Sequence, residues 1–127
     1  MDDKLLQHGA FSWFELTTSD TEAAKEFYTG LLGWEVREMP MQDMTYTVIR
    51  VGGEDVAGIM GTPPGAENMP PQWSNYITVD NVDATAAKAK ELGGSVLVEP
   101  RDIPEVGRFC VIRDPQGACF SVMTYKS

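Results

Sequence analysis

The sequence predicts an α+β fold built from two β-α-β-β-β halves. The main observation is a repeat, because a strand, a capped helix and a Leu-Gly stop near the start recur about 63 residues later. The Leu-Gly pairs align at an offset about three residues smaller, so we expect the first helix to be nearly a turn longer than the second. The first copy comprises Phe11–Leu16, Ser19–Lys25 and Leu32-Gly33, and the second comprises Trp73–Val79, Val82–Lys88 and Leu92-Gly93.

In the first half, a helix is expected to begin after Ser19 and to end before Gly33. Ser19 with Glu22 three residues later has the pattern of a capping box, and glycine commonly terminates helices. Three strands are predicted to follow, from runs that contain Tyr, Val and Ile and are separated by turn residues. Their predicted ranges are 34–37, 45–51 and 56–60.

In the second half, Asn81 is the expected helix cap and Gly93 the expected stop. The remaining strands are predicted at 96–98, 108–113 and 118–124, and the last two form a hairpin over Asp114–Gly117. A hairpin closing there pairs Ile112 with Cys119 and places Cys110 diagonally from it. A strain-free disulfide is therefore not expected, and both cysteines are predicted to be small buried thiols.

The chain is predicted to be one domain spanning residues 1–127. A domain of this length buries roughly two-thirds of its unfolded surface, so no second domain is needed. Within it we expect a first module at about 8–61 and a second module at about 73–125. A proline-rich connector at about 62–72 separates them.

The charge of the chain argues against nucleic acid and membrane surfaces as partners. The net charge is −9 at pH 7, and no cluster of Lys or Arg offsets it locally. The sequence also has no apolar run near 18 residues and no basic start followed by an apolar stretch, so we expect neither a spanning helix nor a signal peptide. The expected location is the cytoplasm.

Candidate site residues come from the sheet face opposite each helix. A half of this kind has a helix on one face only, so its other face must be covered by the other half, another subunit or a ligand. Strand alternation assigns Phe14 and Leu16 to the helix side of the first strand. The opposite face is predicted to carry Phe11, Trp13, Glu15, Ser74, Tyr76, Arg108, Cys110, Ile112, Cys119, Ser121 and Met123.

Glu15 is the candidate catalytic residue, and Arg108 is a candidate anion-binding residue. A carboxylate beside Trp13 in an apolar cavity is expected to have a raised pKa and to act as a general base or bind a ligand amine. The alternative is a strand-end carboxylate that is wetted or paired with a neighbour. Arg108 offers a fork of donors to a carboxylate or phosphate, or forms an ion pair at the sheet edge.

The aromatic residues of this face allow two interpretations. Phe11, Trp13 and Tyr76 either form a wall for a flat ligand or are core that fills the space. Ser74 and Ser121 are interpreted as pocket-lining hydroxyls, because neither has a nearby base in this arrangement.

Several motifs together indicate a family, namely the paired modules, Glu26–Tyr28 followed by Leu31–Trp34, Val79–Asn81, Val106–Phe109 and the hairpin Asp114–Gly117. On these motifs the chain resembles the vicinal oxygen chelate superfamily, which includes glyoxalase I, extradiol dioxygenases and bleomycin-resistance proteins. The resemblance covers essentially the whole chain and is greatest to the glyoxalase-like branch. It implies paired modules that form a curved eight-stranded mixed sheet with a concave cavity and the helices outside.

Members of that superfamily usually bind a divalent metal through His and Glu on the first, fourth, fifth and eighth strands. The corresponding positions here are Trp13, a residue near Gly58 to Met60, Ser74 and Ser121, and none is a credible ligand. The only histidine, His8, precedes the first strand. No metal site and no cofactor are therefore expected.

The resemblance and the missing ligands together predict a glyoxalase-like protein with a metal-free pocket for a small organic molecule. Such a protein is expected to be a homodimer, as short members of the family generally are, and to sequester or sense its ligand or to assist another enzyme. One alternative is a glyoxalase- or dioxygenase-like enzyme, a lyase or oxidoreductase, that uses a divalent metal and Glu15. Another is a structural dimer whose cavity is filled with side chains.

Overall fold

A computed structural model describes residues 2–41, 44–62, 68 and 70–126. These residues contain two α-helices, eight strands and a short 3₁₀ turn at Asp3–Leu6. The predicted fold class is confirmed, since each half has the order β-α-β-β-β and mixes parallel with antiparallel strands. The elements are β1 Phe11–Thr18, α1 Thr21–Leu32, β2 Glu35–Met41, β3 Met44–Val51, β4 Glu54–Gly61, β5 Gln72–Thr78, α2 Val82–Glu91, β6 Ser95–Ile103, β7 Gly107–Arg113 and β8 Cys119–Tyr125.

The chain divides into two compact units. Module 1 is Trp13–Ser74, and module 2 is Asn75–Ser127 together with Met1–Ser12. The N-terminal segment belongs to module 2 because the Gly9 N–H donates to the Thr78 carbonyl at 2.7 Å. The Thr78 N–H in turn donates to the Ala10 carbonyl at 2.8 Å. Residues 63–67 and 69 of the predicted connector lie outside the described residues.

Module 1 packs α1 on one face of four strands in the order β2-β3-β4-β1. The first and last strands of the module, β1 and β4, pair in parallel with Leu16 opposite Ile59. Ala24 and Tyr28 of α1 contact the buried cluster on that face, as period-3.6 spacing requires. The cluster comprises Leu16, Ile49, Ala57 and Ile59.

Module 2 repeats this plan with α2 and four strands in the order β5-β8-β7-β6. Its parallel pair is β5 with β8, in which Ile77 lies opposite Val122. Val82 and Ala86 supply the buried face of α2. The buried cluster is Val79, Val82, Ala86, Cys110, Ile112 and Val122.

The helix ends show how closely the two modules correspond. Asp20, one residue after the predicted Ser19, caps α1 by accepting a hydrogen bond from the Ala23 N–H at 3.0 Å. Asn81 caps α2 as predicted and accepts from the Ala84 N–H at 3.0 Å. Gly33 ends α1 with a φ of 70°, a left-handed conformation that glycine adopts without strain. The first helix is longer, as predicted, but by two residues, 12 against 10.

The β7–β8 hairpin differs from its predicted register by one residue. Arg113, and not Ile112, lies opposite Cys119. The loop closes over residues 114–118 because the Asp114 N–H donates to the Ala118 carbonyl at 2.8 Å. A shift of one residue moves every side chain of a strand to the other face. The predicted placement of Arg108, Cys110 and Ile112 on the face opposite the helix is therefore wrong, since all three lie on the α2 side.

Candidate functional site

A chain of hydrogen bonds in module 1 ends on a buried carboxylate. The Trp13 indole N–H donates to the Tyr46 hydroxyl oxygen at 2.9 Å. The Tyr46 hydroxyl donates to Glu15 Oε2 at 2.7 Å. Glu15 is only 8% exposed, and Trp13 and Tyr46 are half-buried. We call these residues the Trp13–Tyr46–Glu15 array.

The alternation of β1 and a glycine in β4 position this array. Trp13 and Glu15 are two residues apart in β1, so both side chains lie on the face opposite Leu16 and α1, as predicted. Gly58 of β4 lies opposite Glu15 on one side and Val48 on the other. A Cβ atom at Gly58 would lie 1.7 Å from the Tyr46 hydroxyl oxygen. Gly58 therefore provides the space through which Tyr46 reaches Glu15.

The array has a defined direction of hydrogen bonding. The Tyr46 hydroxyl accepts a hydrogen bond from Trp13 and donates one to Glu15, so each hydrogen bond polarises the next. The predicted alternative in which Glu15 pairs with a neighbour is therefore present in the structure. The same contact orients the carboxylate for a ligand that offers a hydroxyl or ammonium group. The role of Glu15 as a base stays a prediction.

Tyr46 was not among the predicted site residues, although the sequence contains a signal for it. Glycine inside a strand often marks a position where a neighbouring group approaches closely. Gly58 lies in the middle of β4, beside a strand that carries Tyr46. Finding Tyr46 required the β3–β4 register, which the sequence pattern did not provide.

In module 2, three of the predicted residues share the face opposite α2 and are buried there. Tyr76 lies opposite Ser121, and its ring is 6.4 Å from that of Phe109. Met123 lies on the same face of β8 as Ser121. Tyr76, Ser121 and Met123 are each less than 9% exposed. Nearby, burial raises the pKa of Tyr125, whose hydroxyl shares a 2.7 Å hydrogen bond with Ser12.

The remaining predicted residues are more accessible. Phe11 is 54% exposed, and Ser74 is half-buried. Cys119 is exposed at the start of β8, so the prediction of two buried thiols is wrong for this residue. Cys110 is fully buried against α2, and burial, with the nearby Glu99 and Asp83 carboxylates, raises its pKa to about 11.

Arg108 forms the predicted alternative, an ion pair. Its Nε and Nη2 atoms donate to the two carboxylate oxygens of Asp83 at 2.8 and 3.0 Å, and Nη1 donates to Asp102 at 3.2 Å. These contacts raise the pKa of Arg108 and lower that of Asp83. The guanidinium is thus held between two carboxylates on the α2 side of module 2.

The family model of the Glyoxalase/Bleomycin resistance protein/Dioxygenase superfamily matches residues 10–122. The chain belongs to this superfamily. The superfamily is the one that the sequence resemblance indicated, and the match runs through both modules.

Two curated relatives of this superfamily member carry names related to small-molecule chemistry. The "Putative glyoxylase CFP32" of Mycobacterium bovis is 44% identical over 91% of this chain and 44% of its own length. The "Anthracycline biosynthesis protein DnrV" of Streptomyces peucetius is 35% identical over 90% of this chain and 46% of its own length. The chain therefore spans less than half the length of these relatives.

A solved structure shares the fold of this superfamily member at low sequence identity. It is a variant of Streptomyces coelicolor methylmalonyl-CoA epimerase in complex with 2-nitronate-propionyl-CoA. The match has a TM-score of 0.68 at 18% identity and covers 95% of this chain and 100% of that one. In the part of this chain that the structure describes, no helix is long and apolar enough to cross a membrane.

Trp13, Ser74 and Ser121, at three of the expected ligand positions, are not the His and Glu side chains through which members of the superfamily usually hold a divalent metal. Among the described residues, no group of three or more His, Cys, Asp or Glu side chains could hold a metal ion. Trp13, at the first ligand position, has only an N–H donor, and that donor is directed at Tyr46. His8 is exposed, and its Nδ1 accepts a hydrogen bond from the Asp80 N–H at 2.9 Å.

Proposed function

We propose that this superfamily member binds a small organic molecule at the Trp13–Tyr46–Glu15 array without a divalent metal. The observation that carries the proposal is the buried carboxylate of Glu15, which receives the Tyr46 hydroxyl at 2.7 Å. A carboxylate oriented in a poorly solvated site favours a cationic or hydroxyl donor over water. The ligand donates such a group to Glu15.

The neighbouring indole indicates the rest of the ligand. Trp13 is half-buried, and its N–H is held by Tyr46, which fixes the plane of the ring. A fixed aromatic face favours a flat apolar partner, and a cation adjoining it gains further attraction. The ligand class is therefore an aromatic amine or phenol. The name of the relative DnrV, which refers to anthracycline biosynthesis, is consistent with an aromatic small molecule.

The side chains of the array support a site without a divalent metal. Divalent transition metals are held by imidazole, thiolate and carboxylate groups, and Glu15 is the one such group in the array. The glyoxalase- or dioxygenase-like enzyme that uses Glu15 and a metal is the competing function, and the names of the relatives include a glyoxylase.

A homodimer is proposed from the family resemblance. Light scattering tests it against the 14.0 kDa mass of one chain.

The first experiment separates these functions by metal content. The purified chain is loaded in turn with zinc, nickel, manganese and iron, desalted and subjected to elemental analysis. The proposal expects no stoichiometric metal. About one metal per chain, retained together with a rise in melting temperature, would favour the enzyme.

The second experiment measures binding of 1-naphthylmethylammonium by amide chemical shifts. The proposal expects saturable shifts at Trp13, Glu15 and Tyr46. Loss of a charge-assisted hydrogen bond in the Glu15→Gln variant is expected to weaken binding about tenfold or more. Glu35→Gln is the matched control, because Glu35 is exposed at the start of β2. Equal affinities of the Glu15→Gln variant and the unmodified chain would contradict the proposal.

A further inference from the structure

Module 2 contains a groove that lies away from the sheet face described above. It has a volume of about 570 Å³ and runs between α2 and the turn that joins β7 to β8. Ala89, Ile112 and Phe120 form an apolar part of its lining, with Leu92 from the end of α2. Ile112 and Phe120 lie opposite each other in the hairpin and face α2. The volume is within the range of small-molecule sites.

The corresponding region of module 1 carries large aromatic residues. Tyr28 lies eight residues after the cap Asp20, and Ala89 lies eight residues after the cap Asn81, so the two positions are equivalent. The Tyr28 ring stacks on Trp34 with centroids 5.6 Å apart. The Trp73 ring meets the Tyr28 ring edge-on at 5.5 Å. Module 2 has only the Ala89 methyl group in place of the Tyr28 ring.

The counterpart of Trp34 in module 2 is also a small residue. It directly follows the pair Leu32-Gly33, and Gly94 directly follows Leu92-Gly93. The Gly94 N–H donates to the Ala89 carbonyl at 2.9 Å. A Cβ atom at Gly94 would lie 2.8 Å from the Arg113 carbonyl oxygen, so the backbone itself closes this end of the groove. A larger residue at this position would therefore require the backbone to move.

The groove is also lined by two cationic residues. Lys88 and Arg113 line it, and within the described part of the chain neither forms an ion pair with a carboxylate. The lining also contains two carboxylates, of which Asp114 is held by the turn. Asp114 Oδ1 accepts from the Gln116 and Ala118 N–H groups, both at 2.9 Å, and Asp80 lies 3.8 Å from His8. In a chain of net charge −9, a lining that carries as many cations as carboxylates is a local exception.

We propose that this groove is a second ligand site and that it takes a small aromatic carboxylate. The aromatic ring packs on Ala89 and Phe120, where module 1 uses its own Tyr28 and Trp34 side chains. The carboxylate faces Lys88 and Arg113, neither of which pairs with a carboxylate among the described residues, because an anion gains from cations beside an apolar surface. The opposite charge preference distinguishes this site from the Trp13–Tyr46–Glu15 array.

The test uses 1-naphthoate as the probe and 1-naphthalenemethanol as its neutral match, with amide chemical shifts as the readout. We expect naphthoate to shift the amides of Ala89, Leu92 and Phe120 and to bind about tenfold more tightly than the alcohol. Shifts confined to Glu15 and Tyr46, or equal affinities for the two probes, would overturn the proposal. Because both probes bear the same rings, their difference reports only the charge.

Two pairs of variants test the site directly. Arg113→Gln is expected to weaken naphthoate binding about fivefold to tenfold, whereas Arg101→Gln, at an exposed position outside the groove, leaves it unchanged. Ala89→Phe fills the groove and is expected to abolish binding, whereas Ala87→Phe on the exposed side of α2 does not. If Ala89→Phe fails to fold, the Arg113 pair still decides. Unchanged affinity in Arg113→Gln would overturn the proposal.

Discussion

The two modules use the same β-α-β-β-β plan but place polar and apolar side chains differently. Module 1 covers the end of its helix with Tyr28, Trp34 and Trp73, and its opposite face holds a polar chain that ends on Glu15. Module 2 leaves a groove beside its helix, and its opposite face buries Tyr76, Ser121 and Met123. The two modules therefore share a plan and a buried apolar cluster under the helix, and they differ in the side chains beside the helix and on the opposite face.

The largest expected effect comes from Gly58, where module 1 has no room for a side chain. Gly58→Ala places a methyl group 1.7 Å from the Tyr46 hydroxyl, so we expect a loss of about 3 kcal/mol in the free energy of unfolding. Denaturant unfolding measures it. Gly30→Ala is the control, because nothing lies within 4 Å of its added Cβ, and alanine inside a helix is expected to add about 0.5–1 kcal/mol. The double variant Gly58→Ala with Tyr46→Ala should lose less than the sum of the two single losses, because the clash is absent without the Tyr46 ring. An unaffected Gly58→Ala protein would contradict the geometry.

The next effect compares the tyrosine hydroxyls of the two modules. Tyr46→Phe leaves the buried Glu15 carboxylate without its 2.7 Å donor and Trp13 without an acceptor, so we expect a loss of about 1.5–3 kcal/mol. Tyr125→Phe in module 2 removes a hydrogen bond between neutral hydroxyls and is expected to cost about 0.5–1.5 kcal/mol. Thermal unfolding of both variants measures the difference. Equal losses would mean that the Glu15 contact is no stronger than a neutral one.

The helix caps should give smaller losses that are similar in the two modules. Asp20→Ala and Asn81→Ala each remove a side chain that accepts a 3.0 Å hydrogen bond from the first turn, and each is expected to cost about 1 kcal/mol. Ser19→Ala is the control, because Asp20 and not Ser19 caps α1. Urea unfolding compares the three variants. A loss for Ser19→Ala as large as that for Asp20→Ala would restore the cap predicted from the sequence.

Sequence patterns predicted most of the fold because those patterns are local. Gly33 and Asn81 act over one helical turn, and alternation in β1 placed Trp13 and Glu15 on the correct face. The sequence pattern was ambiguous where the pairing of two strands decides which face a side chain occupies. In β7, the loop at 114–118 set a register one residue away from the expected one, and this reversed Arg108 and Cys110. Tyr46 joined the site through the β3–β4 pairing, which a single strand does not encode.

A labelling experiment compares Cys110 with Cys119, which the β7–β8 register places on opposite faces. At pH 8 we expect one thiol per native chain to react rapidly with iodoacetamide, because Cys119 is exposed and Cys110 is buried in the α2 cluster. Mass spectrometry of tryptic peptides identifies the labelled residue. Rapid labelling of Cys110 at this pH would mean that module 2 opens readily around α2.

The raised pKa of Cys110 also gives a pH dependence of known sign. Its pKa is about 11 in the folded chain against an ordinary value of 9.0, so the unfolded chain loses this proton first as the pH rises. The free energy of unfolding should therefore fall between pH 9 and 11, and this thiol should not alter it below pH 9. Cys110→Ala is expected to reduce that slope and Cys119→Ala to retain it, as measured by urea unfolding across this range. Because all tyrosines stay in both variants, the difference between their slopes isolates the buried thiol.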